Sequence, residues 1–378
     1  MGENIDLISE IEDKIKTVRT RSLDLSFNEL LDMYKSGELI IDPDYQRLFR
    51  WSVGQQSRFI ETLLLEMPVP PIFVIEKEEG IYELIDGLQR ISTYLHFRGE
   101  HPDYENPDYN DVKAKFLRLA ECDICTHLNG LTYKDIPKTL EIRLKRSFIR
   151  VEVLRKESDS RLRYHMFKRL NTGGSKLSDQ EIRNCTIRLL SPDFNNFLIK
   201  CSQNNSFKSC ISNISQEKID QKYDQELVLR FFAMKNMRDK YLHDVSGFLT
   251  ECMEYFSIKS NKFDYIKEEN IFQKTFKILF ITLRERAFSP STKTKKYLSS
   301  KFAIYHYEAF SLSIAKYVDK LDNLNQNHIK KLHDLLESIK FDDEFINMTT
   351  GGGKNYAGPL DARLQFVDER IRDFCDEL

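Results

Sequence analysis

No stretch of about eighteen apolar residues occurs anywhere in the 378-residue chain, which removes the usual signal for a membrane-spanning helix. Long glycine, proline or serine tracts are missing, and no internal repeat is found. An excess of positive charge is missing as well. The formal net charge is -2, so no global field advertises nucleic acid as a partner, although a local basic face stays open. Seven cysteines are an odd number and lie far apart, which argues for reduced thiols rather than a disulfide framework. Met1 to Thr20 is charged and amphipathic rather than signal-like, and the chain is expected to stay in the cytoplasm.

What is present suits a folded protein. Apolar residues make up 41% and charged residues 31%, a balance that excludes wholesale disorder. The 26 Phe and 17 Tyr supply material for cores between helices, with a few rings left over to stack on bases. The length favours two domains, expected at 1–157 and 158–378.

Apolar positions near 5, 8, 11 and 15 give a first helix, and Ser26-Phe27-Asn28-Glu29 has the form of a capping box opening a second. Leu39-Ile40-Ile41 is a short strand ended by Asp42-Pro43-Asp44. A helix over Val53 to Glu66 must stop before Pro68 and the Pro70-Pro71 pair. Ile72 to Ile75 and Tyr82 to Ile85 form a hairpin that runs into Asp86-Gly87 and an amphipathic helix carrying Ile91, Tyr94, Leu95 and Phe97. Residues 99–110 are a polar loop, and Phe148 to Leu154 alternates as a further strand of the same sheet. Beyond Ser158, helical patterns cover 159–170, 178–190, 225–236, 243–256, 298–318, 327–339 and 361–377, with loops at Ser289 to Lys296 and Thr349 to Gly358. The fold class is α+β: a small mixed sheet with helices, followed by an all-α C-terminal domain.

Three stretches can carry chemistry. In Ile85-Asp86-Gly87-Leu88-Gln89-Arg90 a strand ends, glycine permits a sharp turn and a helix begins, offering unpaired N–H groups and a positive dipole end to an anion. Arg90, one turn in, can reach back as a bidentate phosphate ligand. Asp86, read at the N-cap position, suits three roles: capping the helix, holding a magnesium-bound water, or orienting an attacking water. Simple capping, with Arg90 on the surface, is the competing structural explanation. The second stretch, Tyr45-Gln46-Arg47 with Trp51, sets an aromatic beside a guanidinium, either as a platform for a base or as a pin for the loop. The third runs from Phe167 through Arg169, Asn171, Thr172 and Gly173 to Ser178 and Glu181. It reads as a phosphate or ribose clamp, or as a helix end followed by a capping box.

In this order the stretches resemble the N-terminal domain family of the GmrSD restriction endonucleases, whose hallmark is an Asp-Gly-Gln-Gln-Arg motif on a ParB/sulfiredoxin-like α/β unit. The resemblance covers roughly residues 25–190. It takes in Tyr45-Gln46-Arg47 with Trp51, the Pro-Val-Pro-Pro entry to a strand, the Asp86–Arg90 turn, Leu131 to Pro137, and Arg169 to Gly174 with Leu177 to Asn184. The resemblance implies a module that binds or hydrolyses a nucleoside triphosphate, with Mg2+, in defence against foreign DNA. It places Asp86 and Gln89 in catalysis, and Tyr45, Gln46, Arg47, Gly87, Arg90, Arg169, Asn171, Thr172 and Gly173 on the nucleotide. The family's first glutamine is Leu88 here, which removes one polar contact and sets binding ahead of hydrolysis.

Many relatives append an HNH nuclease, which needs histidines around a metal. His328 and His333 lack a second ligand cluster and are expected on a solvated helix face, and Cys122-x-x-Cys125 with His127 is half a zinc site with no second pair. No metal ligand is assigned. A sensor that holds a DNA phosphate or modified base in the same pocket, and a nuclease with an unrecognised site in 190–378, are the alternative readings. DNA, a second copy of the chain and a separately encoded nuclease are the expected partners beside the nucleotide, and a purely docking role for the helical half is the bland one.

Overall fold

The computed structural model describes residues 7, 11, 13, 19–41, 51–101, 115–156, 158, 178–258, 261–292 and 297–378, without the side chains at 185, 186 and 188–190. The chain divides into two units, Met1–Lys176 and Leu177–Leu378. Tyr45, Gln46, Arg47, Arg169, Asn171, Thr172 and Gly173 lie outside the described residues, as do the whole of the helix expected over 159–170 and most of the 99–110 loop. Of the first expected helix, Leu7, Ile11 and Asp13 are described and helical.

The first unit is built on a five-stranded sheet, β1 (Thr20–Ser26), β2 (Leu39–Ile40), β3 (Ile72–Glu78), β4 (Ile81–Asp86) and β5 (Phe148–Leu154), in the order β1-β5-β3-β4-β2. It is mixed: β1 runs antiparallel to β5, β5 parallel to β3, β3 antiparallel to β4, and β4 parallel to β2. Strand β5 alternates as its sequence demands, with Ile149, Val151 and Val153 buried and Phe148 and Arg150 exposed. Strand β1 was not foreseen. Its two leucines, Leu23 and Leu25, are only half-buried, and its partner lies far along the chain.

Helices that accompany the sheet among the described residues are α1 (Phe27–Ser36), α2 (Val53–Leu64), α3 (Leu88–Arg98) and α4 (Lys138–Arg146). Ser26 caps α1 by accepting the Glu29 N–H, as the sequence suggested. A full capping box between Ser52 and Gln55 starts α2, which ends before the three prolines. Phe27 seats against Phe59 and Tyr94, with ring centroids 6.0 and 5.0 Å apart, and so ties α1 to α2 and α3.

The second unit is helical: α5 (Asp179–Leu190), α6 (Pro192–Ser202), α7 (Asn205–Cys210), α8 (Gln216–Asp220), α9 (Tyr223–Met237), α10 (Val245–Ser257), α11 (Tyr265–Leu283), α12 (Ile304–Lys316), α13 (Val318–Leu321), α14 (Gln326–Phe341), α15 (Asp343–Thr349) and α16 (Ala357–Asp376). Helix α9 is buried on every side through Leu227, Val228, Leu229, Phe231, Phe232 and Ala233, so it has no polar stripe. Rings of Phe207, Phe231, Phe272 and Phe276 interlock at 4.4 to 5.8 Å. Within this core Glu308 is paired with Arg230 at 2.6 Å and with Arg363, all three buried.

Candidate functional site

The Asp86–Arg90 turn stands where the hairpin delivers it. Asp86 is the last residue of β4, paired across to Phe73, so its backbone belongs to the strand and cannot take the N-cap position. Gly87 takes it instead, at φ 106°, and as a glycine it brings no side chain to cap the helix start. The expectation that Asp86 caps α3 is therefore corrected. An L side chain rarely adopts that φ, and a Cβ on Gly87 would lie 2.2 Å from Ile72 Cγ2, so both backbone and packing require glycine.

The two charged residues of the turn meet. Arg90 Nη2 donates to Asp86 Oδ2 at 2.9 Å and to the Pro71 carbonyl at 3.0 Å. Both side chains are largely covered, 16% exposed for Arg90 and 28% for Asp86, so Arg90 does not sit on the open surface as simple capping would have it. Its Nε is buried without a hydrogen-bond partner. Leu88 is buried and contributes packing. Gln89 Oε1 accepts the Trp51 N–H at 3.0 Å, which brings a residue of the second stretch to the turn. The Trp51 ring lies edge-on to Phe59 at 5.5 Å.

The remaining motif residues that are described are engaged in structure. Thr132 donates its N–H and its hydroxyl to Asp135, closing the Leu131 to Pro137 turn. The Tyr133 ring stacks under the Arg98 guanidinium at 4.8 Å. Ser178 and Glu181 form the expected capping box. Arg183, buried, binds Gln180, Glu226, Thr250 and Ser246, which fastens α5 to α9 and α10. These hydrogen bonds give the polar residues of Ser178 to Asn184 a structural role.

The half zinc site is also occupied by structure. The Cys122 thiol donates to the Ser57 carbonyl at 3.8 Å, and burial pushes its pKa up to about 11. Buried Glu61 accepts the N–H groups of Ile124 and Cys125, holding the loop by its backbone. His328 and His333 are half-buried rather than fully solvated, and His333 Nδ1 bonds the Thr282 carbonyl at 2.7 Å. Among the described residues no group of three or more His, Cys, Asp and Glu is arranged to hold a metal ion, and no helix is long and apolar enough to cross a membrane.

Residues 27–188 match the family model described as GmrSD restriction endonuclease, N-terminal domain. This segment is a GmrSD N-terminal domain. The match begins at the first residue of α1, takes in the whole turn, and ends within α5. The matched segment is less than half of the 378 residues, and the description it carries is that of a restriction endonuclease. No curated protein and no solved structure matches the chain. Of the residues that the sequence pointed to, the GmrSD domain brings Asp86, Gly87, Gln89, Arg90 and Trp51 together. Reasoning from spacing missed the Trp51 to Gln89 bond because it joins a backbone group to a side chain 38 residues away.

Proposed function

We propose that the GmrSD domain binds a nucleoside triphosphate at the Gly87 turn, as the nucleotide-responsive part of a cytoplasmic, restriction-type defence protein that acts on foreign DNA. The observation that carries this reading is a strand-to-helix turn whose N-cap residue is a glycine, next to a guanidinium already held at the strand end. Phosphate oxygens suit the positive end of a helix dipole and its first-turn N–H groups.

The Asp86–Arg90 pair suits an exchange. A partly exposed ion pair contributes about 1 kcal/mol. Charge-assisted hydrogen bonds from a guanidinium to phosphate are worth roughly 1.5 to 3 kcal/mol each, so an arriving phosphate wins Arg90. Asp86 is then released. One carboxylate beside a triphosphate is the donor set Mg2+ ordinarily accepts, since it keeps most of its waters and takes its other ligands from phosphates. Bound there, Mg2+ would supply charge neutralisation of the phosphates. Asp86 would hold it or orient a water, Gln89 would assist, and Arg90 would clamp the phosphates. Tyr45, Gln46 and Arg47, with Arg169, Asn171, Thr172 and Gly173, are proposed to complete the nucleotide contacts. Leu88 in place of a glutamine weights the function toward binding over hydrolysis.

Calorimetric titration with ATP, GTP and CTP in the presence of magnesium tests the proposal against Arg90→Ala. Heat is expected from the unaltered protein and not from the variant. No heat from either overturns nucleotide binding. Duplex binding with a steep salt dependence and no response to any nucleotide would instead assign the pocket to a DNA phosphate.

A further inference from the structure

We infer that Gln56 is a positioning residue for the Gly87 turn, acting through Trp51 on Gln89. The inference rests on the reading of that turn as a nucleotide site.

Three hydrogen bonds form a clamp. Trp51 N–H donates to Gln89 Oε1 at 3.0 Å, Gln56 Nε2 donates to the Trp51 carbonyl at 2.9 Å, and Gln56 Oε1 meets His96 Nδ1 at 2.9 Å. Gln89 and His96 both belong to α3, seven residues apart and so on one face after two turns. The helix thus grips the Trp51–Gln56 segment at both ends. Gln56 and His96 are buried, at 5% and 8% exposure, and so exchange poorly with water.

The donor and acceptor directions follow from chemistry alone. A backbone carbonyl only accepts, so the Gln56 amide must turn its NH2 to Trp51 and its oxygen to His96. His96 must then carry its proton on Nδ1. At the far end a backbone N–H only donates, so Gln89 presents its oxygen to Trp51 and keeps its NH2 as the donor end of the amide. His101, whose ring centroid is 6.2 Å from that of His96, has its pKa pulled down to about 4, by burial first and by His96 second, so no charge develops there at neutral pH. The clamp has one polarity throughout. Its consequence for the site is that Gln89 serves as a hydrogen-bond donor, suited to a phosphate oxygen.

The test uses the full chain, in which Trp51 is the single tryptophan and reports its own surroundings. Gln56→Leu removes both amide bonds and touches no part of the proposed phosphate contacts. With the unaltered protein binding ATP, GTP or CTP, Gln56→Leu is expected to weaken that binding about tenfold or more. It should also shift Trp51 emission in the free protein, and His96 should lose its Nδ1–H tautomer in nitrogen NMR spectra. Unchanged affinity, or unchanged emission with an unchanged tautomer, overturns the inference. Absence of nucleotide binding in the unaltered protein overturns the reading of the turn and the positioning role with it. The emission and tautomer measurements still report whether the clamp exists. Should Gln56→Leu fail to fold, Gln56→Glu keeps the volume and the acceptor for His96 but offers the Trp51 carbonyl no donor. It is expected to weaken binding and shift emission in the same direction, and equality with the unaltered protein counts against the inference.

Discussion

Replacing Gly87 by alanine is the perturbation whose cost follows most directly from geometry. Gly87 sits at φ 106°, and an added Cβ would lie 2.2 Å from Ile72 Cγ2 and 2.8 Å from Ile72 Cβ. Ile72 is the first residue of β3, fully buried and paired with Val151, so it cannot step aside without moving the centre of the sheet. The left-handed backbone costs an alanine roughly 1 to 2 kcal/mol. Forcing a methyl into filled space adds roughly 1 to 3 kcal/mol. The expected loss is about 2 to 5 kcal/mol, a large share of the roughly 5 to 15 kcal/mol that holds an ordinary domain. In thermal unfolding this amounts to roughly 4 to 20 °C for a unit of this size. Because part of the cost is a collision with one side chain, the double variant Gly87→Ala with Ile72→Ala should lose less than the sum of the single losses, by about 1 kcal/mol or more. Urea denaturation of the three variants measures this. A Gly87→Ala protein within about 0.5 kcal/mol of the unaltered one, or strict additivity in the double variant, would refute the account of why glycine occupies the turn.

Other consequences lie in the helical unit and the first unit's cysteines. Lys340 donates to the Arg286 and Ala287 carbonyls in the interior, and burial holds its pKa at about 7 instead of 10.5. Between those values the unfolded chain binds the extra proton, so this group makes stability rise with pH by up to about 1.4 kcal/mol per unit. Urea denaturation at roughly pH 7 and 8.5, inside the window set by those two pKa values, should show a gain that shrinks in Lys340→Met. Equal gains in both proteins contradict this. Glu308→Leu strands the buried Arg230 and Arg363 guanidinium groups without their shared partner. A loss of about 3 to 5 kcal/mol is expected by chemical denaturation, and a neutral effect counts against the pairing. Ellman's reagent should modify half-buried Cys125 well before buried Cys122, which burial holds in its thiol form. Equal rates, resolved by mass spectrometry, would show that the Cys122 loop opens freely.

Local signals made much of the first unit readable. The hairpin, its glycine and the helix beyond it lie within a short window, and the prolines after α2 terminate it by covalent necessity. What escaped is non-local or lacks a single stripe. Strand β1 is recognised only against β5, more than 120 residues away, and offers two half-buried leucines as its own signal. Helix α11 was missed because its stripe is blurred on both sides: Thr275 and Thr282 are buried with Phe272, Phe276 and Leu279, while Ile266 and Ile281 lie exposed beside Asn270, Gln273 and Lys277. Helices α6 and α7 are short and rest on caps by Ser191 and Asn204. At the site, residue types and spacing brought Asp86, Gly87 and Arg90 forward but left the role of Asp86 open. Register removes the N-cap position from those roles, since β4 extends through Asp86 and hands the cap position to Gly87. Gln56 and His96 gave no signal, because a glutamine on a helix and a histidine in an apolar stretch become informative only when the Trp51 backbone comes between them.

The central claim is that phosphates sit at the start of α3 and take Arg90 from Asp86. The most direct measurement is a structure of the full chain with a non-hydrolysable nucleoside triphosphate and magnesium. The account predicts phosphate density against the first-turn N–H groups of α3, with the Arg90 guanidinium moved from its 2.9 Å contact with Asp86 onto phosphate oxygens. Nucleotide density elsewhere on the chain, or at the turn with the Asp86–Arg90 pair intact, would contradict it.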